Sequence, residues 1–297
     1  MPHLYGGESL LLDLPYRTEG ERDMSIDRRQ FLKVAGISTI LGLGGAPVIN
    51  WLRNDLLEAS HVLTDEKALI GKHWAMVIDM SRFETEEDYR RVIHACHSIH
   101  NVPNLDNPKD AVKWIWTDTY HHTFPGQENE YIPEEIKHKP FILLCNHCQN
   151  PPCVRVCPTK ATFKRKDGIV MMDQHRCIGC RFCMAGCPFG ARSFNYKDPR
   201  PFIKEENKEY PTRTIGVVEK CTFCFERLAK GLIPACVEAS QNAAKEAGKE
   251  PGMFFGDLED PASEVRKVLS TRYSIRRKQE LGTQPSVFYI IGGGKNA

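Results

Sequence analysis

The sequence predicts an α+β fold in which runs of cysteine organise two related modules. Of the 12 cysteines, 11 lie between residues 145 and 236, so one constraint governs that stretch. Short strand-like apolar runs alternate with helical patterns elsewhere in the chain. A short unit also recurs, because Cys157-Pro158 and Cys187-Pro188 are each followed by a strand-like segment and a turn. These observations predict small modules built around their cysteines.

Residues 1–57 are interpreted as a twin-arginine export signal that can remain attached as a tether. Arg28 and Arg29 precede the sequence FLK, and a weakly apolar segment follows over residues 34–51. Glycines and a proline interrupt that segment, and it falls short of the ~20 apolar residues that a membrane span needs. An ordinary surface helix is the alternative. The signal predicts a protein at the extracytoplasmic, periplasmic face of the cytoplasmic membrane.

The segment between the signal and the cysteine runs predicts a strand, a helix and a second strand. In order, these are a strand over 73–80, a helix from Thr85 to about 100, a strand over 112–116 and a polar loop over 121–138. Thr85 and Asp88 approximate a capping box at the start of the helix. Tyr89, Val92, Ile93 and Cys96 recur at helical spacing, which predicts that they share one face.

Beyond residue 157 the sequence predicts hairpins, one further helix and a closing strand. Asp167-Gly168 separates two strand-like runs, which is a strong hairpin signal. Asp260 followed by Pro261 predicts the start of a helix that runs to about Ser270. The run SVFYII, from residue 286, predicts a final strand.

The cysteine spacing predicts iron–sulfur clusters. Cys177, Cys180, Cys183 and Cys187 form C-x2-C-x2-C-x3-C-P, the bacterial ferredoxin run, in which three thiolates hold one [4Fe-4S] cluster and the fourth reaches another. The same run with two additional residues before its third cysteine is formed by Cys145, Cys148, Cys153 and Cys157. A third run, Cys221, Cys224 and Cys236, ends at Ser240 where a fourth cysteine would stand.

Other uses of these cysteines fit less well. Structural zinc takes four ligands from two pairs and gives no reason for the third cysteine or the Cys-Pro. Disulfides suit an exported chain, but repeated C-x2-C-x2-C units in a large domain argue against them. No C-x2-C is followed by histidine, so the sequence has no c-type haem attachment site. His147 and His175 are expected to lie beside ligands or at the surface.

Four segments resemble a known family: LCNHCQNPPCVRVCPTKATF, GIVMMDQHRCIGCRFCMAGCPFGARSF, EKCTFCFERLAKGLIPACVEA and FGDLEDPASEVRKVL. They are similar to the four-cluster ferredoxin-like subunits that partner molybdopterin oxidoreductases and quinone-interacting membrane proteins. The resemblance covers residues 74–290 and implies a ferredoxin-like domain over 58–297. That domain would contain two modules of the bacterial 2[4Fe-4S] type: an intact double-cluster module over 145–200, and a degenerate one-cluster module made of 74–100 and 215–260.

The resemblance also implies which cysteines share a cluster. Set A is Cys145, Cys148, Cys153 and Cys187; set B is Cys157, Cys177, Cys180 and Cys183; set C is Cys96, Cys221, Cys224 and Cys236. The family's remaining cluster would take its ligands from the positions of Glu86, Tyr89, Val92 and Ser240, so all four are absent together. The alternative for Cys96 is an inert buried cysteine.

The implied function is electron transfer through three [4Fe-4S] clusters, with no catalytic site in this chain. The closest resemblance is to the exported iron–sulfur subunit of the sulfite-reductase-linked membrane complex (DsrO type) of sulfur metabolism. It implies a hetero-oligomer with a polytopic quinone-interacting membrane subunit and a multihaem cytochrome c. The alternatives are the electron-transfer subunit of an exported molybdopterin reductase, acting on polysulfide, tetrathionate or a similar acceptor, and a structural or regulatory cluster protein.

Charge adds little to this assignment. A formal net charge of +2 gives no reason to expect nucleic acid as a partner. Five basic residues beside ligands are expected either to offset cluster charge or simply to keep the surface soluble: Arg155, Lys160, Arg176, Arg181 and Lys220.

Overall fold

The computed structural model describes residues 66–292, which form nine strands and eight α-helices. The predicted twin-arginine segment, 1–57, lies outside the described residues. None of the helices within 66–292 combines the length and the apolar character that crossing a bilayer requires. The α+β class predicted from the sequence is confirmed.

The elements are mostly short, as expected for a chain organised by its ligand loops. The strands are β1 (Trp74–Asp79), β2 (Ile115–Asp118), β3 (Phe141–Leu144), β4 (Thr162–Lys164), β5 (Val170–Met172), β6 (Ser193–Phe194), β7 (Val218–Glu219), β8 (Met253–Asp257) and β9 (Val287–Ile290). The helices are α1 (Glu86–Ile99), α2 (Tyr120–Thr123), α3 (Glu134–His138), α4 (Pro152–Arg155), α5 (Phe182–Ala185), α6 (Phe225–Leu228), α7 (Ala235–Ala247) and α8 (Glu264–Thr271).

A mixed sheet in the order β8-β1-β9 connects distant parts of the chain. Strand β1 pairs antiparallel with β8 and parallel with β9, and every residue of β1 is buried. Met76 and Ile78 belong to the main core, whereas Ala75 and Val77 pack with Val265 of α8 in a smaller cluster. Because both faces are covered, the first five residues of β1 are all apolar and show no alternation.

The two longest helices, α1 and α7, pack against each other beside this sheet. The N-terminus of α1 is stabilised by Asp88, whose carboxylate accepts hydrogen bonds from the Thr85 amide at 2.8 Å and the Thr85 hydroxyl at 2.9 Å. The buried face of α1 carries Tyr89, Val92 and Cys96, as their spacing predicts, whereas Ile93 is only partly buried at its edge. The helix therefore directs Cys96 toward the interior.

Three pairs of short strands complete the fold: β2 with β3, β4 with β5, and β6 with β7, all antiparallel. The β4–β5 hairpin turns at Gly168, as the sequence predicts. The strand after Cys187 differs from the prediction of a second hairpin unit. It is β6, and its partner is the distant strand β7, just before the third cysteine run.

Three element boundaries predicted from the sequence were wrong. The second strand is Ile115–Asp118, shifted toward the C-terminus by its pairing with β3. The segment 121–138, predicted to be loop, contains parts of α2 and all of α3. Helix α8 begins at Glu264, because Ser263 provides the cap and accepts a hydrogen bond from the Arg266 amide at 3.3 Å.

Candidate metal centres

All 12 cysteines lie within the described residues, and none forms a disulfide. Every thiol is therefore free to act as a ligand in this structure. The three sets implied by the resemblance can each be located from their surroundings.

Set B surrounds one cavity at the surface. Its four cysteines all line a cavity with about 260 Å³ of empty space, together with Ile178 and Arg181. Cys183 is buried, whereas Cys180 is exposed. A metal group held here would lie close to solvent on one side.

Set A is more deeply placed. Burial, together with the nearby Cys145, Cys153 and Cys187 thiols, raises the pKa of the Cys148 thiol to about 12. Such mutual effects require the four sulfurs to lie close together. In set A, Cys187 alone is partly accessible.

Set C is buried throughout, and it includes Cys96. Burial raises the pKa of the Cys96 thiol well above its ordinary value, and Cys221, Cys224 and Cys236 contribute in the same direction. The Cys96 side chain, carried by α1, thus faces the third cysteine run, which is more than 120 residues away in the sequence. Its fully buried position also fits a core cysteine, so its role as a ligand stays a prediction.

The three sets follow one another in the order B, A, C. Burial raises the pKa of Cys183 in set B, and Cys153 of set A is among its neighbours. Burial also raises the pKa of Cys221 in set C, and Cys145 of set A contributes to that shift. Set A therefore lies between the other two sets, with contacts on both sides.

The same unusual backbone conformation recurs in all three cysteine runs. The residue two positions after the first cysteine has positive φ in each run: His147 at 41°, Gly179 at 69° and Phe223 at 54°. For residues other than glycine this conformation costs about 1–3 kcal/mol. The loops accept this strain at equivalent places, which turns successive thiols toward a common centre. From the sequence, this positive φ could be expected only at Gly179, because glycine adopts that conformation readily.

Backbone amides also point at the sulfurs. The Thr162 amide donates to Cys157 Sγ and the Phe223 amide donates to Cys221 Sγ, both at 3.5 Å. Cys236 lies in the first turn of α7, where the helix dipole favours a thiolate. Burial raises the pKa of Cys236 to about 12, and the nearby amides of Val237 and Cys236 oppose that shift.

Two buried cations lie beside set A. The guanidinium of Arg192, 5% exposed, donates to Cys153 Sγ at 3.1 Å. The ammonium of Lys220, 1% exposed, donates to the carbonyl oxygens of Val170 and, at 2.7 Å, Cys221. The other four basic residues noted in the sequence are exposed: Arg155, Lys160, Arg176 and Arg181. Lys220 was identified from the sequence but Arg192 was missed, because Arg192 is not next to a cysteine in the chain.

The two histidines noted in the sequence have different positions. His147 is fully buried and stacks on Phe223, with ring centroids 3.7 Å apart. Its Nδ1 accepts a hydrogen bond from the Val170 amide at 3.1 Å, and burial lowers its pKa well below the ordinary value. His147 therefore packs the run of set A against that of set C. His175 is exposed.

The Ser240 side chain lines a small cavity together with Phe83 and Val92, and its polar group is paired within the protein. The Ser240 hydroxyl accepts a hydrogen bond from the Gly252 amide at 3.1 Å. Phe83 and Tyr89 pack with their ring centroids 5.3 Å apart, and the Tyr89 hydroxyl donates to the Phe83 carbonyl at 3.2 Å. Tyr89 and Val92 are buried and Glu86 is exposed. These are ordinary packing roles rather than those of soft metal ligands.

The donor set fits iron–sulfur clusters. Soft thiolates are the ligands that such clusters take, and the backbone amides and buried cations suit the negative charge of a thiolate-bound cluster. When bound, [4Fe-4S] clusters supply one-electron exchange with little rearrangement. The thiols gathered by the three cysteine runs would hold them, and the amides and Arg192 would stabilise the thiolates.

Comparison with known proteins agrees with this chemistry. Residues 136–200 match the 4Fe-4S dicluster domain. The chain is 37% identical to the Hdr-like menaquinol oxidoreductase iron-sulfur subunit 1 of Archaeoglobus fulgidus, over 91% of this chain and 100% of the relative. It is 33% identical to a tetrathionate reductase subunit of Salmonella typhimurium, over 90% of this chain and 89% of the relative. It is also 33% identical to the menaquinone reductase iron-sulfur cluster-binding subunit of Nitratidesulfovibrio vulgaris, over 73% and 88%.

Proposed function

Because this chain belongs to the family of iron–sulfur electron-transfer subunits of quinone-linked oxidoreductases, we propose that it carries electrons through three [4Fe-4S] clusters. Electron transfer is the function of the family. The number of clusters is the specific part of the proposal. The observation that carries it is the position of Cys96 beside Cys221, Cys224 and Cys236. With Cys96 included, the 12 cysteines divide into three sets of four.

The proposal includes the loss of one ancestral cluster. The four positions that would hold it are Glu86, Tyr89, Val92 and Ser240. If one cluster was lost, all four of its ligand positions were free to change together. Cys96 would be kept, because it belongs to set C and serves a different cluster. The packing of Phe83 on Tyr89 and the hydrogen bond to Ser240 support this, because they give Tyr89 and Ser240 packing and hydrogen-bonding roles in place of ligation.

Set B provides the site at which electrons pass to or from another protein. Cys180 is exposed, and Ile178 and Phe182 are 68% and 60% exposed. Exposed apolar side chains around a redox group favour docking of a partner. The basic side chains of Arg155 and Lys160 are also exposed nearby, so the partner surface would be acidic.

The partners follow from the family. The chain works in a hetero-oligomer with a polytopic quinone-interacting membrane subunit, at the extracytoplasmic face of the membrane, after export by the twin-arginine route. Residues 28–33 support the export route. The complex is of the sulfite-reductase-linked (DsrO) type, with a multihaem cytochrome c as the second redox partner. The second candidate is the electron-transfer subunit of an exported molybdopterin reductase, favoured by the 33% identity to a tetrathionate reductase subunit.

The test of cluster number is iron and acid-labile sulfide per chain, on anaerobically purified wild type and Cys96→Ala. We expect about 12 irons in the wild type, from three clusters of four, and about eight in the variant, or a three-iron remnant. Ser240→Ala, which removes a hydroxyl from the position of a lost ligand, is the matched control and should retain the wild-type iron. Equal contents of about eight in wild type and Cys96→Ala would refute the third cluster.

The partners are tested by purifying the tagged native complex. A copurifying cytochrome c with a quinone-interacting membrane subunit supports the first assignment, and a molybdopterin chain supports the second. A structural or regulatory role predicts clusters that do not change redox state when the protein is mixed with quinol-supplied membranes.

A further inference from the structure

Arg192 occupies an unusual position for an arginine. It lies immediately before β6, and its side chain extends into the core between sets A and B. No carboxylate in residues 66–292 forms an ion pair with it. It donates instead to Cys153 Sγ at 3.1 Å, Thr162 Oγ1 at 3.1 Å and, more weakly, Met172 Sδ at 3.7 Å. Buried arginine is normally paired with an acidic group, because an unpaired buried charge is costly.

The charge of Arg192 is compensated by thiolates. Burial acts to lower its pKa, but the nearby Cys153, Cys183 and Cys145 hold that pKa above its ordinary value. Two of these cysteines belong to set A and one to set B. Lys220 lies near the same thiolates, but its ammonium donates to backbone carbonyl oxygens rather than to sulfur. Arg192, in contrast, donates a hydrogen bond directly to a predicted ligand sulfur.

We propose that Arg192 is a positioning residue that raises the reduction potential of the cluster held by set A, through its buried charge and its hydrogen bond to Cys153. Reduction adds one negative charge to a cluster. A fixed positive charge and an N–H···S bond stabilise the reduced state more than the oxidised state. The effect is large because the site is shielded from water. This inference rests on set A holding a [4Fe-4S] cluster.

The effect is greatest at set A. The hydrogen bond is made to a sulfur of that set, and Cys145 of set A is also among the neighbours of Arg192. Cys183 of set B lies in the same surroundings, and Arg192 opposes the rise that burial causes in the pKa of its thiol. The 3.1 Å hydrogen bond of Arg192, however, is made to Cys153 of set A. Arg192 therefore separates the potentials of two neighbouring clusters and so influences where an electron resides along the line B, A, C.

The test is a redox titration followed by electron paramagnetic resonance on wild type, Arg192→Gln and Arg192→Lys. The set A signal is assigned by its change in Cys148→Ser. We expect Arg192→Gln to lower the reduction potential of the set A cluster by at least about 59 mV. For a one-electron couple this is a tenfold change in the equilibrium between the oxidised and the reduced cluster. Arg192→Lys keeps the charge, so it should give a smaller shift in the same direction. Arg155→Gln is the control, because it removes an exposed charge near Cys153. It should change the reduction potential of the set A cluster by less than about 59 mV, because an exposed charge is screened by solvent and salt.

Iron content separates this inference from the proposed function. If the wild type holds no cluster in set A, both the proposed function and the inference on Arg192 are wrong. If the wild type holds the set A cluster, its reduction potential can be measured whether the chain contains about eight or about 12 irons. If Arg192→Gln does not retain iron, Arg192→Lys decides, since an unchanged or higher set A potential in that variant contradicts the proposal. An Arg192→Gln protein with full iron and the wild-type potential also contradicts it.

Discussion

Removing the charge of Glu219 should destabilise this protein more than any surface substitution. Glu219 of β7 is fully buried and pairs with Arg213 at 2.7 Å. The same carboxylate accepts hydrogen bonds from Trp114 Nε1 at 2.9 Å and Asn195 Nδ2 at 2.5 Å. Arg213 in turn donates to the carbonyls of His100 and Asn101, which follow α1. The pair therefore links the end of the helix that carries Cys96 to the strand that precedes Cys221.

The magnitude follows from this geometry. Two unit charges 2.7 Å apart attract by about 6 kcal/mol at an effective dielectric constant of about 20. Breaking a buried pair by removing one partner costs about 3–5 kcal/mol, because the other charge is left buried and unpaired. In Glu219→Gln an amide N–H₂ replaces one oxygen, so one of the three donors would face another donor. We expect a loss of about 4 kcal/mol.

Unfolding of an iron–sulfur protein is irreversible, so the comparison uses thermal midpoints at one fixed scan rate under anaerobic conditions. For a domain of this size about 2–4 °C corresponds to 1 kcal/mol, and the midpoint should fall by roughly 10 °C. Glu84→Gln is the control. It removes one partner of an exposed pair with Lys249 at 2.9 Å, and exposed pairs contribute little.

A double substitution tests the reasoning itself. Arg213→Met with Glu219→Gln removes both charges, so the double variant should be destabilised by clearly less than the sum of the two single variants. Full additivity would show that the pair is not coupled. A midpoint for Glu219→Gln within a few degrees of the wild type would show that water or a conformational change compensates the buried Arg213.

Two further predictions concern a ligand loop and a histidine. Gly179, between Cys177 and Cys180, has φ of +69°, and a Cβ there would lie 2.5 Å from the Gly216 carbonyl oxygen, so Gly179→Ala should lose the set B iron, about four per chain. Gly190→Ala, also at positive φ but in open space, should keep its iron in the same assay. Burial lowers the pKa of His73 below 6.5, so the unfolded chain takes up a proton that the folded chain resists, and stability should fall as the pH drops below 6.5. His73→Gln should reduce that dependence, and an unchanged slope in unfolding measured across this pH range would contradict the assignment.

The sequence predicted what is encoded locally. Residues separated by two or three positions in a cysteine run must lie close together whatever the rest of the fold does, so the runs were readable from spacing alone. The start of α1 was equally local, since Thr85 and Asp88 are three residues apart. The wrong boundaries have the opposite origin. Strand β2 takes its limits from pairing with β3, and β6 pairs with the distant β7, so neither the limits of β2 nor the partner of β6 can be predicted from its own segment.

Cys96 shows how an ambiguous pattern arises. Its place on the face of Tyr89 and Val92 predicts burial, and burial suits both an inert cysteine and a ligand. The packing of α1 on α7 adds what the pattern lacks, because it brings Cys96 near Cys236.

Arg192 shows the complementary case. It is four residues beyond Pro188 and next to no cysteine in the chain, yet it contacts Cys153, 39 residues earlier. Local spacing therefore predicts the ligands of a cluster, whereas the charges that set its potential depend on tertiary contacts such as this one.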